Sequence, residues 1–179
     1  RNPKIWDAIK YGIDYAGLAD IYLGGGGPTG SMVPPSLGGA LPADQGMKED
    51  LDRAKAALVA GGQPDGFTMN ASFASDGSYT TVPAPIVAQK VAADLSRIGI
   101  TVNLNPQLFS QMLTEYRGGQ QEAVFHWWSS DYVGWTDYLP IFAPGGAAGG
   151  KRHQWNPTDS AEAQKIADLV SKAKQTLAL

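Results

Sequence analysis

The sequence predicts one α/β lobe with a mostly parallel sheet flanked by helices, and three observations predict it. Phe67, Met69, Ala71 and Phe73 alternate with polar residues. Ile100, Val102 and Leu104 do the same, and each alternating stretch leads into a stretch with helical spacing. A third apolar run, 121–128, follows the second of those helices. The order strand, helix, strand, helix, strand is that of a parallel layer, because parallel neighbours need a crossover between them.

The elements follow in order. Residues 3–23 read as one or two helices, with Ile5, Ile9 and Ile13 at i, i+4, i+8 and Leu18 and Ile21 continuing the stripe; Gly12 and Gly17 weaken the middle. Residues 24–46 form a long connection rich in Gly and Pro. A helix over about 48–60 carries Leu51, Ala54 and Leu58 on one face and ends at Gly61-Gly62. The strand 67–73 is followed by an Asp76-Gly77 turn and a helix over about 83–98, whose Val87, Val91, Leu95 and Ile98 face inward before Gly99 stops it. Then come the strand 100–104, a helix over about 107–117, the strand 121–128 and one helical turn over 136–142. A Gly-rich loop, 143–157, precedes a final helix at about 159–177, with Asp159 or Ser160 as N-cap and Glu162 in its first turn. No internal repeat divides the chain, so a single unit, 1–179, is expected.

Composition removes several function classes. Hydrophobic residues make up 43% of the 179, enough for a packed core. The net charge of −3, with no long basic run, argues against nucleic acid, where clustered Lys and Arg supply most of the affinity. Charged residues are only 17%, which suggests a surface partly covered by something else. The absence of cysteine removes disulfides, thiolate catalysis and thiolate metal sites. No apolar run reaches the length of a membrane span, and no signal peptide is visible. A chain opening at Arg1 is expected to be a processed or excised piece.

The most informative stretch is Phe125-His126-Trp127-Trp128-Ser129-Ser130-Asp131-Tyr132. It sets a carboxylate just beyond a strand that ends in paired tryptophans. Strand ends are where open α/β sheets place ligands. A carboxylate beside aromatic faces suits a cationic amine, through charge-assisted hydrogen bonds and cation–π attraction. Trp128 is then a ligand wall, and Trp127, on the opposite face of the strand, is core. Arg117 reads as a cation at a helix C-terminus, favourable to the dipole, with ligand contact as its sharper reading.

Other motifs carry less. The Gly-rich run 24–30 lacks a Gly-Lys-Ser/Thr ending and follows a helix, which excludes a phosphate loop. His126, Ser129 and Asp131 sit too close on one strand to converge as a triad, and no Gly-x-Ser-x-Gly elbow exists. His126 and His153 with scattered acids show no metal spacing. Lys151-Arg152-His153 reads as an exposed loop, and Trp155 as a residue at the pocket rim.

The chain resembles the large lobe of the dipeptide/oligopeptide-binding proteins, the family 5 extracytoplasmic receptors that feed ABC importers. Asn2-Pro3-Lys4-Ile5-Trp6-Asp7-Ala8-Ile9-Lys10-Tyr11-Gly12-Ile13-Asp14-Tyr15 is similar to the family's first helix, and Val33-Pro34-Pro35 to its Pro-rich loop. Asp94-Leu95-Ser96-Arg97-Ile98-Gly99-Ile100-Thr101-Val102 resembles its helix-to-strand element, Trp128-Ser129-Ser130-Asp131-Tyr132 its ligand segment, and Asn156-Pro157 its lead into the last helix. The sequence departs after Tyr132, where Val133-Gly134-Trp135-Thr136 replaces the family's usual "Y-P-D-P".

The resemblance implies a periplasmic-binding-protein-like lobe, a C-terminal-half fragment of a longer two-lobe receptor that lacks its N-terminal lobe. It implies that Asp131 holds a ligand's ammonium and that Trp128 walls the site, with Tyr132, Trp135 and Arg117 as further ligand candidates. No catalytic residue, metal or cofactor is expected. The implied partners are a peptide or small-molecule ligand and, through the intact protein, an ABC permease; the implied location is periplasmic or extracytoplasmic. The competing readings are a small hydrolase using His126 and nearby acids, a receptor for a sugar- or opine-like solute on the same fold, and an interaction module with an idle cleft.

Overall fold

The computed structural model describes residues 2–22, 27, 29–31, 33–76, 81–128, 131 and 135–177, the side chains of residues 135, 136 and 177 excepted. Helices α1 (Pro3–Tyr11) and α2 (Tyr15–Ile21) open the chain. Asn2 caps α1 by accepting from the Lys4 N–H, and Asp14 caps α2 by accepting from Gly17. The predicted 3–23 segment is therefore two helices, divided where Gly12 closes α1. Helix α3 (Leu51–Ala60) starts three residues later than expected, because Asp50 is its N-cap and accepts from Arg53.

Three strands follow: β1 (Phe67–Ala74), β2 (Ile100–Gln107) and β3 (Ala123–Phe125), in the spatial order β2-β1-β3 and parallel throughout. Phe67 aligns with Ile100, and Ala71 with Ala123. Helix α4 (Ala84–Ser96) links β1 to β2, and α5 (Phe109–Gly118) links β2 to β3. Helices α6 (Trp135–Phe142) and α7 (Ala161–Leu177) complete the lobe.

The first crossover runs outward from β1 to β2, and the second runs back from β2 past β1 to β3. Right-handed connections then set α4 and α5 on opposite faces of the sheet. The α4 face holds the main core: Val91, Leu95 and Ile98 meet Ala8 of α1, Ala54, Ala57 and Leu58 of α3, and Ile100 of β2. Ile5, Ile9, Phe67, Met69, Val102 and Phe125 pack around this cluster. The predicted inward stripe of α4 therefore holds at Val91, Leu95 and Ile98.

Both β1 and β2 start from glycines. Gly66 (φ +81°) and Gly99 (φ +89°) lie side by side just before Phe67 and Ile100. A Cβ on Gly66 would fall 1.9 Å from the carbonyl oxygen of Gly99, so this close entry into parallel register needs glycine.

Two boundaries differ from the sequence reading. The 121–128 strand pairs only over Ala123–Phe125, because the short register beside β1 ends at Phe73 opposite Phe125. The Gly-rich 143–157 segment is not an open loop: it contains a π-helical turn, Ala147–Arg152, and a 3-10 turn, Pro157–Asp159. Ser160, not Asp159, caps α7 by accepting from Ala163; Asp159 instead completes a capping box with Asn156. The expected Asp76-Gly77 turn lies partly outside the described residues, but the Asp76 carboxylate accepts from the Phe109 N–H at 2.7 Å and so starts α5.

A charge cluster locks α2 to α4. The Lys90 ammonium donates to Asp14 at 3.0 Å and to Asp94 at 2.6 Å, and Asp94 also accepts from the Asp14 backbone N–H. Asp94 is buried. Hydrogen bonds from Gly17 and then Lys90 hold the Asp14 carboxyl below its usual range. Burial opposes the charge on Lys90, but its bonds to Asp94 and Asp14 outweigh that and raise it. Lys90→Met leaves a buried carboxylate without its cation, and we expect a loss of about 2–3 kcal/mol in urea unfolding at neutral pH, below the range for fully buried pairs because Lys90 keeps some exposure. The Asp14 contribution is complete above its unfolded value near about pH 4 and is lost as pH falls through its lower folded value. The gap between wild type and variant should therefore narrow in acid; a gap constant from pH 7 to pH 3 would contradict the assignment.

Candidate functional site

The strand order positions the site. The chain leaving β1 goes to α4 on one face and the chain leaving β2 goes to α5 on the other, so the carboxyl end of β1 is a switch point, with the end of β3 beside it. A cleft of about 290 Å³ occupies that place. Ala74 at the end of β1 and Val124, Phe125, His126 and Trp127 at the end of β3 form one side. Val82, Ala84 and Val87 at the start of α4, Phe109 and Met112 of α5 and Tyr22 after α2 complete it. Among the described residues the lining carries no formally charged side chain, and its one imidazole belongs to His126.

His126 sits in an aromatic and cationic setting. Its ring lies 5.1 Å from that of Tyr116 and 6.2 Å from that of Phe109. Burial, and then the positive charges of Arg152 and Arg117, push its proton affinity below that of an ordinary histidine. Tyr116 is buried, and its hydroxyl meets His153 Nε2 at 3.2 Å while Arg152 lies 5.3 Å over its ring. Lys151 and His153 are exposed as expected and Arg152 is half-buried, but the segment is a π-helical turn rather than a loop, and it brings Arg152 and His153 against Tyr116 of α5.

The sequence-predicted residues divide between two places. Trp128 does not line the cleft; it packs edge-on against Tyr138 at 5.1 Å and Phe142 at 5.2 Å, both on α6. Trp127, assigned to the core from strand alternation, is 46% exposed and lines the cleft instead. The reason is that pairing stops at Phe125, so alternation no longer governs the residues after it. Asp131 is exposed, and its backbone N–H donates to the Asp137 carboxylate at 2.5 Å. Arg117 is exposed in the last turn of α5, where its charge favours the helix dipole and reaches His126. Tyr132 and the side chain of Trp135 lie outside the described residues. Trp155 is half-buried and is not among the lining residues.

Sequence reasoning missed Asp137, Tyr22 and Phe109. Asp137 is 3% exposed and holds the Asp131 segment to the first turn of α6. Its signal was available: an acid in a helix's first turn serves orphan N–H groups. Nothing local in the sequence brings Tyr22 to the cleft.

The surroundings of His126 also bear on a hydrolase. Two nearby arginines and partial burial make its imidazole a weaker base, and its ring contacts are aromatic rather than carboxylate. An NMR titration should place the His126 midpoint below about 6.5, and Arg152→Ala should raise it. Because the folded value is depressed, this histidine reduces stability as pH falls through it and has no effect above about pH 6.5. A midpoint at or above the ordinary histidine value would contradict the arrangement.

Comparison with known proteins agrees with this architecture. Residues 1–150 match the model of the middle part of the bacterial extracellular solute-binding proteins, family 5. The glutathione-binding protein GsiB of Salmonella choleraesuis (strain SC-B67) is 30% identical over 137 residues, covering 75% of this chain and 25% of that protein. Di/tripeptide-binding protein 2 of Pseudomonas aeruginosa (strain UCBPP-PA14) is 25% identical over 181 residues, covering 99% of this chain and 34% of that protein. The dipeptide-binding protein of Pseudoalteromonas sp. SM9913, solved with Met-Leu, superposes with a TM-score of 0.75 at 20% identity, over 93% of this chain and 36% of that one. The chain spans about a quarter to a third of the length of the curated relatives it matches. These relatives are named as binding proteins rather than enzymes. The parallel sheet, the switch-point cleft and the family match together show that the chain belongs to the family 5 bacterial extracellular solute-binding proteins.

Proposed function

We propose that the chain is the ligand-binding lobe of an ABC importer's solute-binding protein, and that it receives peptides or another amine-bearing solute at the carboxyl end of its sheet. The observation that carries this reading is Asp131: an exposed carboxylate, held by its backbone to the buried Asp137, beyond the strand that lines the switch-point cleft. A carboxylate placed this way pairs with a ligand ammonium. The aromatic residues around the strand end supply apolar surface. The names of the relatives, glutathione-binding and di/tripeptide-binding, favour a short peptide.

In the longer protein a second lobe closes over the ligand, an ABC permease accepts it, and the location is extracytoplasmic. Among the described residues no helix is long and apolar enough to cross a membrane. Asp131 is the anchor in this reading, with Tyr132 and Trp135 as further ligand contacts. Trp128 packs against Tyr138 and Phe142 of α6.

A lone lobe makes half the contacts, so binding is expected in the millimolar range. Titration of the 179-residue chain with free-amine dipeptides, read by NMR, should give saturable shifts. N-acetylation of the same dipeptides, or Asp131→Asn, should weaken binding about tenfold or more, the worth of one charge-assisted pair. Equal binding of acetylated and free-amine peptides would remove Asp131 as the anchor. Turnover of the peptides would restore the hydrolase reading.

A further inference from the structure

We propose that the switch-point cleft is a side-chain pocket, distinct from the Asp131 anchor, that selects a peptide with an apolar side chain within its first four residues and rejects a lysine there. The inference rests on the peptide reading above and adds the ligand's chemistry.

The cleft's size points to a side chain. At about 290 Å³ it lies at the lower end of the range for small-molecule sites, too small for a whole peptide. Its lining points to an apolar occupant. Val82, Val87, Phe109, Met112, Val124 and Phe125 offer no charge, and the exposed Trp127 gives the mouth an aromatic face. A charged side chain entering this site would lose its hydration without a partner. The electrostatics single out lysine for exclusion. Arg152 lies 5.3 Å over the Tyr116 ring, which in turn lies 5.1 Å from the His126 ring on the cleft wall, so positive charge stands just behind that wall.

Chain geometry links pocket and anchor. Trp127 and Asp131 are four residues apart, so their backbones are at most about 14 Å from each other. An extended ligand advances about 3.3–3.6 Å per residue. A peptide with its amine at Asp131 that runs toward Trp127 therefore reaches the cleft within its first four residues.

The test titrates the 179-residue chain, by NMR, with two probe sets. The first is N-acetyl-leucinamide and N-acetyl-lysinamide, which lack an amine at the anchor and report on the pocket alone. The second is free-amine tetrapeptides of alanine carrying one Leu, Lys or Glu. The leucine amide should shift the Trp127 indole and His126 imidazole signals, and Trp127→Ala should weaken it; the lysine amide should leave both signals in place. In the second set the Leu peptides should bind about tenfold more tightly than the Lys peptides, and Asp131→Asn should weaken all of them without touching the acetylated leucine probe. Val87→Ala provides a second, milder pocket variant and should reduce the Leu preference. Equal binding of Leu, Lys and Glu peptides, with their free amine still required, would overturn the pocket and leave the anchor standing. A preference for Glu would mean that the arginines govern the site, and would overturn it as well. Binding of the acetylated leucine probe alone, with no dependence on a free amine or on Asp131, would keep the pocket and overturn the anchor. No shift with any probe at millimolar concentration would overturn both.

Discussion

Strand β1 pairs in parallel on both sides, and the rest of the lobe depends on that constraint. Parallel neighbours cannot be joined by a tight turn, so each needs a helical crossover. With β2 on one side and β3 on the other, handedness sends α4 and α5 to opposite faces. The α4 face takes the core with α1 and α3. Helices α4 and α5 follow the carboxyl ends of β1 and β2, and the cleft is lined by their first turns and by the ends of β1 and β3. The entry is as constrained as the exit, since Gly66 and Gly99 must approach closely for β1 and β2 to start in register.

A line of rings ties the cleft to the segment that carries Asp131. Phe109 meets His126, His126 meets Tyr116, Tyr116 meets His153, His153 stacks near Phe142, and Phe142 meets Trp128. These contacts join α5, the end of β3, the π-helical turn and α6 into one packed unit. Asp137 adds the backbone link to Asp131. The proposed site thus combines two chemistries on one support: a carboxylate at the surface and a largely apolar, open cleft a few residues away. Such a division fits a receptor that fixes its ligand by one end and sorts ligands by a side chain further along.

Much of this was legible in the sequence, for physical reasons that differ by element. Strand β2, the first half of β1 and helix α4 show clean periodicity because each packs one face against the core, as Met69, Val102, Val91 and Leu95 do. Helix α7 was legible from its caps. The end of β3 was not. Alternation put Trp127 in the core, but the pairing ends at Phe125, and Trp127 is exposed at the cleft instead. The fold of Arg152 and His153 onto Tyr116 was equally hidden, because it depends on a contact between segments 37 residues apart rather than on local pattern. The hydrogen bond from the Asp131 backbone to the buried Asp137 was only partly legible: an acid in a helix's first turn is visible in sequence, but its burial and its partner are not.

The central claim is that a ligand lies along the carboxyl ends of β1 and β3, with one side chain in the cleft. Photo-crosslinking tests this most directly. A free-amine tetrapeptide carrying a photoreactive leucine would be irradiated with the 179-residue chain, and the adduct mapped by mass spectrometry. The account predicts attachment at Trp127, Tyr22 or the start of α4 around Val82–Val87, and its loss when excess unlabelled leucine peptide competes. Attachment concentrated on the exposed face of β2 or on α7, or adducts that no competitor removes, would contradict it.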